Sequence, residues 1–374
     1  MHSQSARIVG GAVLLLALVS AVFAGPAPTA SKCKLVVVAQ VPVDMHGLRP
    51  VIPLTIDGHP SSMLIDTGAT TSFILRGAAA AFGLKSAPGG GKNYAAGGIE
   101  YSGRVEVHDF DVGGFMVHNL TLNTMGHGTA SEKVAGALGE DFLSHWDEEF
   151  DPAAGVVRLL VPKDCKGDQV LYWATQYSVV KLLTVVSRDA NWSALPLANL
   201  QLNGHDVLTL FDTGAPYSIV TTDVAKSPAM RPIVEVATDK RGRGLASGTY
   251  AVDTAVFPSI TIGQETIQNP RMEVADIFAK DKEVRTGSMI ASSPEGQPQM
   301  LIGMDFFRAH HVYLARGQQK MYFTYVGGPV FLTATELATV AKPAPSSGAA
   351  APAPATPTPV TPTPAGTSDP AAPK

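Results

Sequence analysis

A seven-residue segment that occurs twice constrains this chain more than any other feature. Met63-Leu64-Ile65-Asp66-Thr67-Gly68-Ala69 returns as Thr209-Leu210-Phe211-Asp212-Thr213-Gly214-Ala215, with the aspartates 146 positions apart. A lone Asp-Thr-Gly arises by chance on the order of 0.1 times in a chain of this size, so two in matching apolar frames mark a duplicated unit. Each copy is led by an alternating strand and a hairpin signal: Val51 to Ile56 before Asp57-Gly58, and Leu195 to Leu202 before Asn203-Gly204. The order is kept downstream. Phe110 to Val112 reaches Gly113-Gly114 where Ile260 to Ile262 reaches Gly263, and Ala137-Leu138-Gly139 answers Leu301-Ile302-Gly303.

Between these landmarks lie short runs rich in Val, Ile, Thr and Phe, bounded by Gly, Asn and Asp, which read as strands. Helix is expected only over Arg76 to Leu84, over Asp223 to Lys226, and just after each glycine motif. The chain therefore reads as mainly β. Two similar lobes are expected, residues 25–165 and 191–332, joined through residues 166–190, with polar residues 276–299 forming a surface loop inserted in the second copy.

Both ends of the 374-residue chain stand apart from this core. Arg7 precedes an apolar run from Ile8 to Phe23 that ends in small residues at Ala24, which reads as a secretory signal over residues 1–24, either cleaved or kept as an anchor. No second apolar span follows. Residues 333–374 are rich in Pro, Ala and Thr and lack aromatic residues, so they cannot bury a core and read as an extended, disordered tail. Lys plus Arg total 28 against 32 Asp plus Glu, a formal net charge of -4, which leaves no basic surface for nucleic acid.

The chemistry follows from the repeated turn. An apolar strand that ends in an acid, a threonine and a glycine holds a carboxylate at a tight turn. Glycine lets the backbone approach its partner closely, threonine can bond across to the other copy, and Ala69 and Ala215 leave room for the approach. Two such turns about a pseudo-twofold axis set Asp66 beside Asp212. Carboxylates so close share one proton and titrate as a unit, so one serves as general base toward a water and the other as general acid toward a carbonyl. Neither metal nor covalent intermediate is required.

With these triplets and glycine motifs, residues 33–330 resemble the retropepsin-like aspartyl proteases, in particular the exported bacterial members that carry both copies in one chain. The resemblance implies a bilobal, pepsin-like fold built from two homologous β-barrel-like lobes. It implies catalytic roles for Asp66 and Asp212, a threonine grip between Thr67 and Thr213, supporting turns at Gly68, Ala69, Gly214 and Ala215, and strands that thread beneath them at Gly139 and Gly303. Glycine-bearing flap hairpins are expected over Ala95 to Gly103 and Gly244 to Tyr250, with Gly97, Gly98, Gly248 and Tyr250 as candidates. The implied partner is a polypeptide substrate, with no cofactor, and a monomer suffices because one chain supplies both aspartates. Alanine stands after each triplet where pepsins usually carry serine, which implies a less acidified dyad.

Cys33 and Cys165 bracket the first lobe. In an exported protein they are expected to pair, contributing at most about 4–5 kcal/mol through loop closure; free buried thiols are the alternative. The acidic run of Asp147, Glu148, Glu149 and Asp151 reads as a solvated turn rather than a metal site. His310 and His311 would face opposite sides of a strand, and Gly242-Arg243-Gly244 reads as flap rather than phosphate loop. Motifs of zinc proteases, serine hydrolases and thiol redox enzymes do not occur. The sequence thus points to an exported aspartic endopeptidase. The alternative is a non-catalytic exported protein that keeps the cleft to hold a peptide or envelope component.

Overall fold

The computed structural model describes residues 32–46, 48–95, 98–126, 134–183, 195–236, 241–243, 249–277 and 297–331. The expected signal segment, the tail, most of the expected loop over 276–299, Gly97 and Gly248 lie outside the described residues. Among the described residues no helix is long and apolar enough to cross a membrane.

Among the described residues, three sheets of eight, ten and six strands carry the fold. In the first half, strand Arg49–Ile56 pairs with His59–Ile65 across the Asp57-Gly58 turn, with Ile56 opposite His59. Asp57 adopts a positive φ of 46°, as this turn demands. Strand Gly136–Leu138 runs parallel to His59–Ile65 and antiparallel to Phe73–Leu75. Thr55 and Ile56 also pair with Asp111 and Phe110, which closes the sheet on itself as a barrel. The second half repeats this plan. Leu197–Leu202 pairs with His205–Phe211, Met300–Ile302 runs parallel to the latter, and Leu202 pairs with Ile260 as Ile56 does with Phe110.

Alternation places one face of each strand inward. Ile52, Leu54, Ile56, Met63, Ile65, Val105, Val107 and Phe110 of the first half and Leu200, Leu202, Val207, Phe211, Ile260 and Ile262 of the second belong to one continuous core. Each such side chain contributes about 1.5–3 kcal/mol on burial. The short helices fall where the sequence places them, at Arg76–Ala81, Glu140–Leu143, Thr222–Lys226 and Met304–Phe307. The fold is bilobal and pepsin-like.

The six-stranded sheet joins the halves. Its order runs Lys34–Pro42, Val156–Lys163, Asp147–Asp151, His310–Ala315, Lys320–Tyr325, Ser178–Lys181, and Phe150 opposite Val312 is the seam. Cys33 and Cys165, at the ends of its paired outer strands, form a disulfide that closes a span of 132 residues.

This sheet corrects one expectation. Asp147–Asp151 is a central strand, not a solvated turn, and Asp147, Glu148 and Glu149 are buried. The reason lies far along the chain. Arg316 donates from Nε to Glu148 at 2.8 Å and from Nη2 to Glu140 at 2.7 Å and Glu148 at 2.8 Å, while its backbone N–H donates to Asp147 at 2.8 Å. His311 meets Glu149 at 2.7 Å, and Arg158 donates to Glu149 at 2.9 Å and Asp151 at 3.2 Å. Buried acids survive when so paired. Ligand atoms of Glu149, Asp151 and His311 lie within 4.8 Å of one another, a spacing open to a metal ion, but the Arg158 guanidinium already bridges the two carboxylates. His310 faces the other side, with Nδ1 at 2.8 Å from the Phe306 carbonyl.

Candidate active site

Each Asp-Thr-Gly turn sits where a strand leaves its barrel. The Asp66 N–H donates to the Leu138 carbonyl and the Asp212 N–H to the Ile302 carbonyl, both at 2.9 Å, so the strand leading to each glycine motif fixes the turn from beneath. The threonines are fully buried and cross over. Thr67 N–H donates to Thr213 Oγ1 at 3.1 Å and Thr213 N–H to Thr67 Oγ1 at 3.0 Å. Their hydroxyls donate onward, Thr67 to the Phe211 carbonyl at 2.8 Å and Thr213 to the Ile65 carbonyl at 2.7 Å. Four bonds therefore lock the turns together, leaving no donor of this pair unmatched.

That lock sets the Asp212 carboxyl against Gly68 and the Asp66 carboxyl against Gly214, close enough for each to act on the other's charge. A Cβ on Gly68 would strike the Asp212 carboxylate, and one on Gly214 would strike that of Asp66, so both glycines are required by close approach. Gly68 N–H donates to Asp66 Oδ1 at 3.1 Å. Gly214 and Ala215 N–H groups donate to Asp212 Oδ1 at 2.9 and 3.1 Å.

Both carboxyls are raised above the ordinary range. For Asp66 the cause is loss of surrounding water, opposed by the Gly68 N–H and then by the Arg49 guanidinium. Asp212 is pushed up to about 8, first by loss of water and then by the negative charge of Asp66. Each residue keeps part of its surface open.

Gly139 and Gly303 thread against the turns, where a Cβ would meet the backbone at Ala69 and Thr71 in one half and at Ala215 and Tyr217 in the other. The sequence reading missed the side chains that hold them. Ser72 Oγ accepts from Gly139 N–H at 2.9 Å and donates to Asp141 at 2.6 Å. Ser218 does the same for Gly303 N–H, at 2.9 Å, and Asp305, at 2.6 Å. Their signal was present, since each serine follows its aspartate by the same interval and each acid follows its glycine likewise.

Two antiparallel strand pairs flank the stretches expected as flaps, whose turns at 96–97 and 244–248 lie outside the described residues. In the first half Ala87–Ala95 pairs with Gly98–Val112, which begins at Gly98. In the second half Arg241–Arg243 pairs with Thr249–Val256, and the Tyr250 ring lies over Gly242, where it fills the space a Cβ would take. Tyr250 is within electrostatic reach of both Asp212 and Arg49.

This architecture is that of a two-lobe, pepsin-like β protein. A family model described as aspartyl protease matches residues 52–142 and 198–306, more than half of the chain, and the chain belongs to that family. Among solved structures, the aspartic proteinase from Irpex lacteus matches with 13% identity and a TM-score of 0.46, covering 79% of this chain and 99% of that one. No curated protein sequence matches the chain.

Proposed function

We propose that the chain is an exported aspartic endopeptidase that hydrolyses peptide bonds with a water held between Asp66 and Asp212. The observation that supports this reading is the close approach of each carboxyl group to the other copy's glycine inside a crossed threonine grip, in a chain of the aspartyl protease family. Two carboxyls so placed cannot both ionise cheaply and hold one proton between them, as is general for aspartic proteases. Arg49 favours the ionised form of Asp66, whereas the charge of Asp66 favours the protonated form of Asp212.

In this reading Asp66 takes a proton from the water as its oxygen adds to the carbonyl carbon, and Asp212 gives its proton to the carbonyl oxygen. The tetrahedral diol then collapses. Asp66 returns its proton to the leaving nitrogen, the carbon–nitrogen bond breaks, and Asp212 recovers a proton from the diol hydroxyl. The substrate is an extended polypeptide lying along the cleft beneath the hairpins. The paired cysteines and the apolar segment over residues 8–23 support export to a periplasmic or extracellular location.

The test is digestion of an unfolded protein by the chain that begins after Ala24. Asp66→Asn and Asp212→Asn should each lower kcat/KM on the order of 10⁴-fold or more while leaving the melting temperature within a few degrees. A statine-type transition-state analogue should block the unmodified enzyme. Full activity in either variant would falsify the assignment.

A further inference from the structure

The two copies of the repeat differ at a position that borders the aspartates. At the spacing that aligns Asp66 with Asp212, Arg49 stands where the second half has Leu195. Leu195 is buried, packed in a cluster with Leu197, Leu210, Ile219 and Leu301. Arg49 opens the strand Arg49–Ile56, whose register pairs Val51 with Leu64. Arg49 itself pairs with His46, and continuing the Val51–Leu64 register by two residues leads from Arg49 toward Asp66. Its charge acts on Asp66 of the first half and on Tyr250 of the second.

The residue is partly exposed, yet its Nε is buried and has no hydrogen-bond partner. A guanidinium nitrogen withdrawn from water without an acceptor destabilises a fold, and nothing in the repeat demands it, since leucine serves in the other copy. The guanidinium presents a planar fork of donors suited to a carboxylate. We infer that Arg49 is a specificity determinant that receives a carboxylate of the bound peptide, borne by an acidic side chain beside the scissile bond or by the peptide's C-terminus. The inference rests on the proposed peptidase reading.

Peptides matched in pairs test it: Glu against Gln at each position flanking the cleaved bond, and free against amidated C-termini. For the unmodified enzyme the carboxylate member of one pair should have a kcat/KM about tenfold higher, the scale of one charge-assisted contact. The pair that shows the preference identifies the source of the carboxylate. In Arg49→Met, and in Arg49→Leu, which copies the second half and guards against misfolding of the first variant, the ratio should fall to about one, with Arg49→Lys between. Equal rates within every pair for the unmodified enzyme, or an undiminished ratio in both variants, overturn the inference. Equal slowing of all peptides with a shifted acidic limb of the pH profile also overturns it, because Arg49 would then act on Asp66 alone. Fluorescence anisotropy of the same pairs on Asp212→Asn reads the preference as a ratio of Kd values. If nothing is cleaved, the peptidase reading fails while this binding ratio still decides the role of Arg49.

Discussion

The two aspartate turns are near copies, but the strands that follow them are opposites. In the turns, each half offers the other the same threonine, glycine and carboxyl group, and the bonds agree to within 0.1 Å: 3.1 and 3.0 Å across the grip, 2.8 and 2.7 Å onward. In the shared sheet, the first half contributes the acids of Asp147–Asp151 and the second half contributes His310–Ala315 and Arg316. Like facing like works at the dyad because one proton removes the repulsion. Across a buried sheet it would fail, since three acids opposite three acids have no such remedy. The difference makes each half the complement of the other rather than of itself, which favours assembly within one chain.

Breaking that complement gives the largest expected effect on stability. Arg316 is the cation between Glu140 and Glu148, at 2.7 and 2.8 Å. Arg316→Met strands those acids in the interior and should cost about 3–5 kcal/mol, read as a lowered melting temperature. Adding Glu140→Gln and Glu148→Gln should return most of the loss, because the neutral trio no longer buries an unpaired charge. A melting temperature unmoved by Arg316→Met would show that the seam draws its strength from the apolar cluster instead.

The same acids set a pH dependence. Glu148 is raised from 4.5 to about 7, first by burial, and Asp305 from 3.8 to about 7, also first by burial. Asp147 is raised in the same direction for the same reason. A carboxyl whose pKa rises on folding binds its proton more tightly in the folded state, so its contribution is complete below the unfolded value and declines as pH climbs toward the folded one. The melting temperature should therefore fall between about pH 4 and about pH 7, and Asp305→Asn should make that decline shallower. Circular-dichroism melts across this range check both; a melting temperature rising with pH would contradict the assignment of these groups.

What was legible in the sequence was what repeats or alternates. Period-two runs and Asp-Gly or Asn-Gly turns gave the barrel strands, and the doubled triplet brought Asp66 to Asp212 without any knowledge of the rest of the fold. The acidic strand was illegible because its meaning depends on Arg316, 168 positions from Glu148. A run of acids reads as solvated until the cation that enters it is known. Ser72 and Ser218 could have been found by extending the repeat alignment past the triplet. Arg49 could not, since a cation at a strand start is ordinary until its unpaired Nε and its buried leucine counterpart are both in view.

The serines carry the finest distinction between the halves. Both hold a glycine N–H at 2.9 Å and an aspartate at 2.6 Å, so chain geometry alone predicts equal worth. Their surroundings differ: Asp141 is exposed, whereas Ser218 and Asp305 are buried, at 0% and 1% exposure. Removing the Ser72 hydroxyl leaves the buried Gly139 N–H without its acceptor, as in the other half, but its aspartate can still be solvated by water, and Ser72→Ala should cost about 1–2 kcal/mol. Ser218→Ala leaves both the Gly303 N–H and the Asp305 carboxyl short of a partner in the interior, and should cost about 2–3 kcal/mol. Denaturant titration of the two variants measures the gap, and it should narrow at pH 5, where a protonated Asp305 no longer needs the hydroxyl as a donor to a charge. Equal costs at both pH values would mean that the second half's greater enclosure has no energetic consequence.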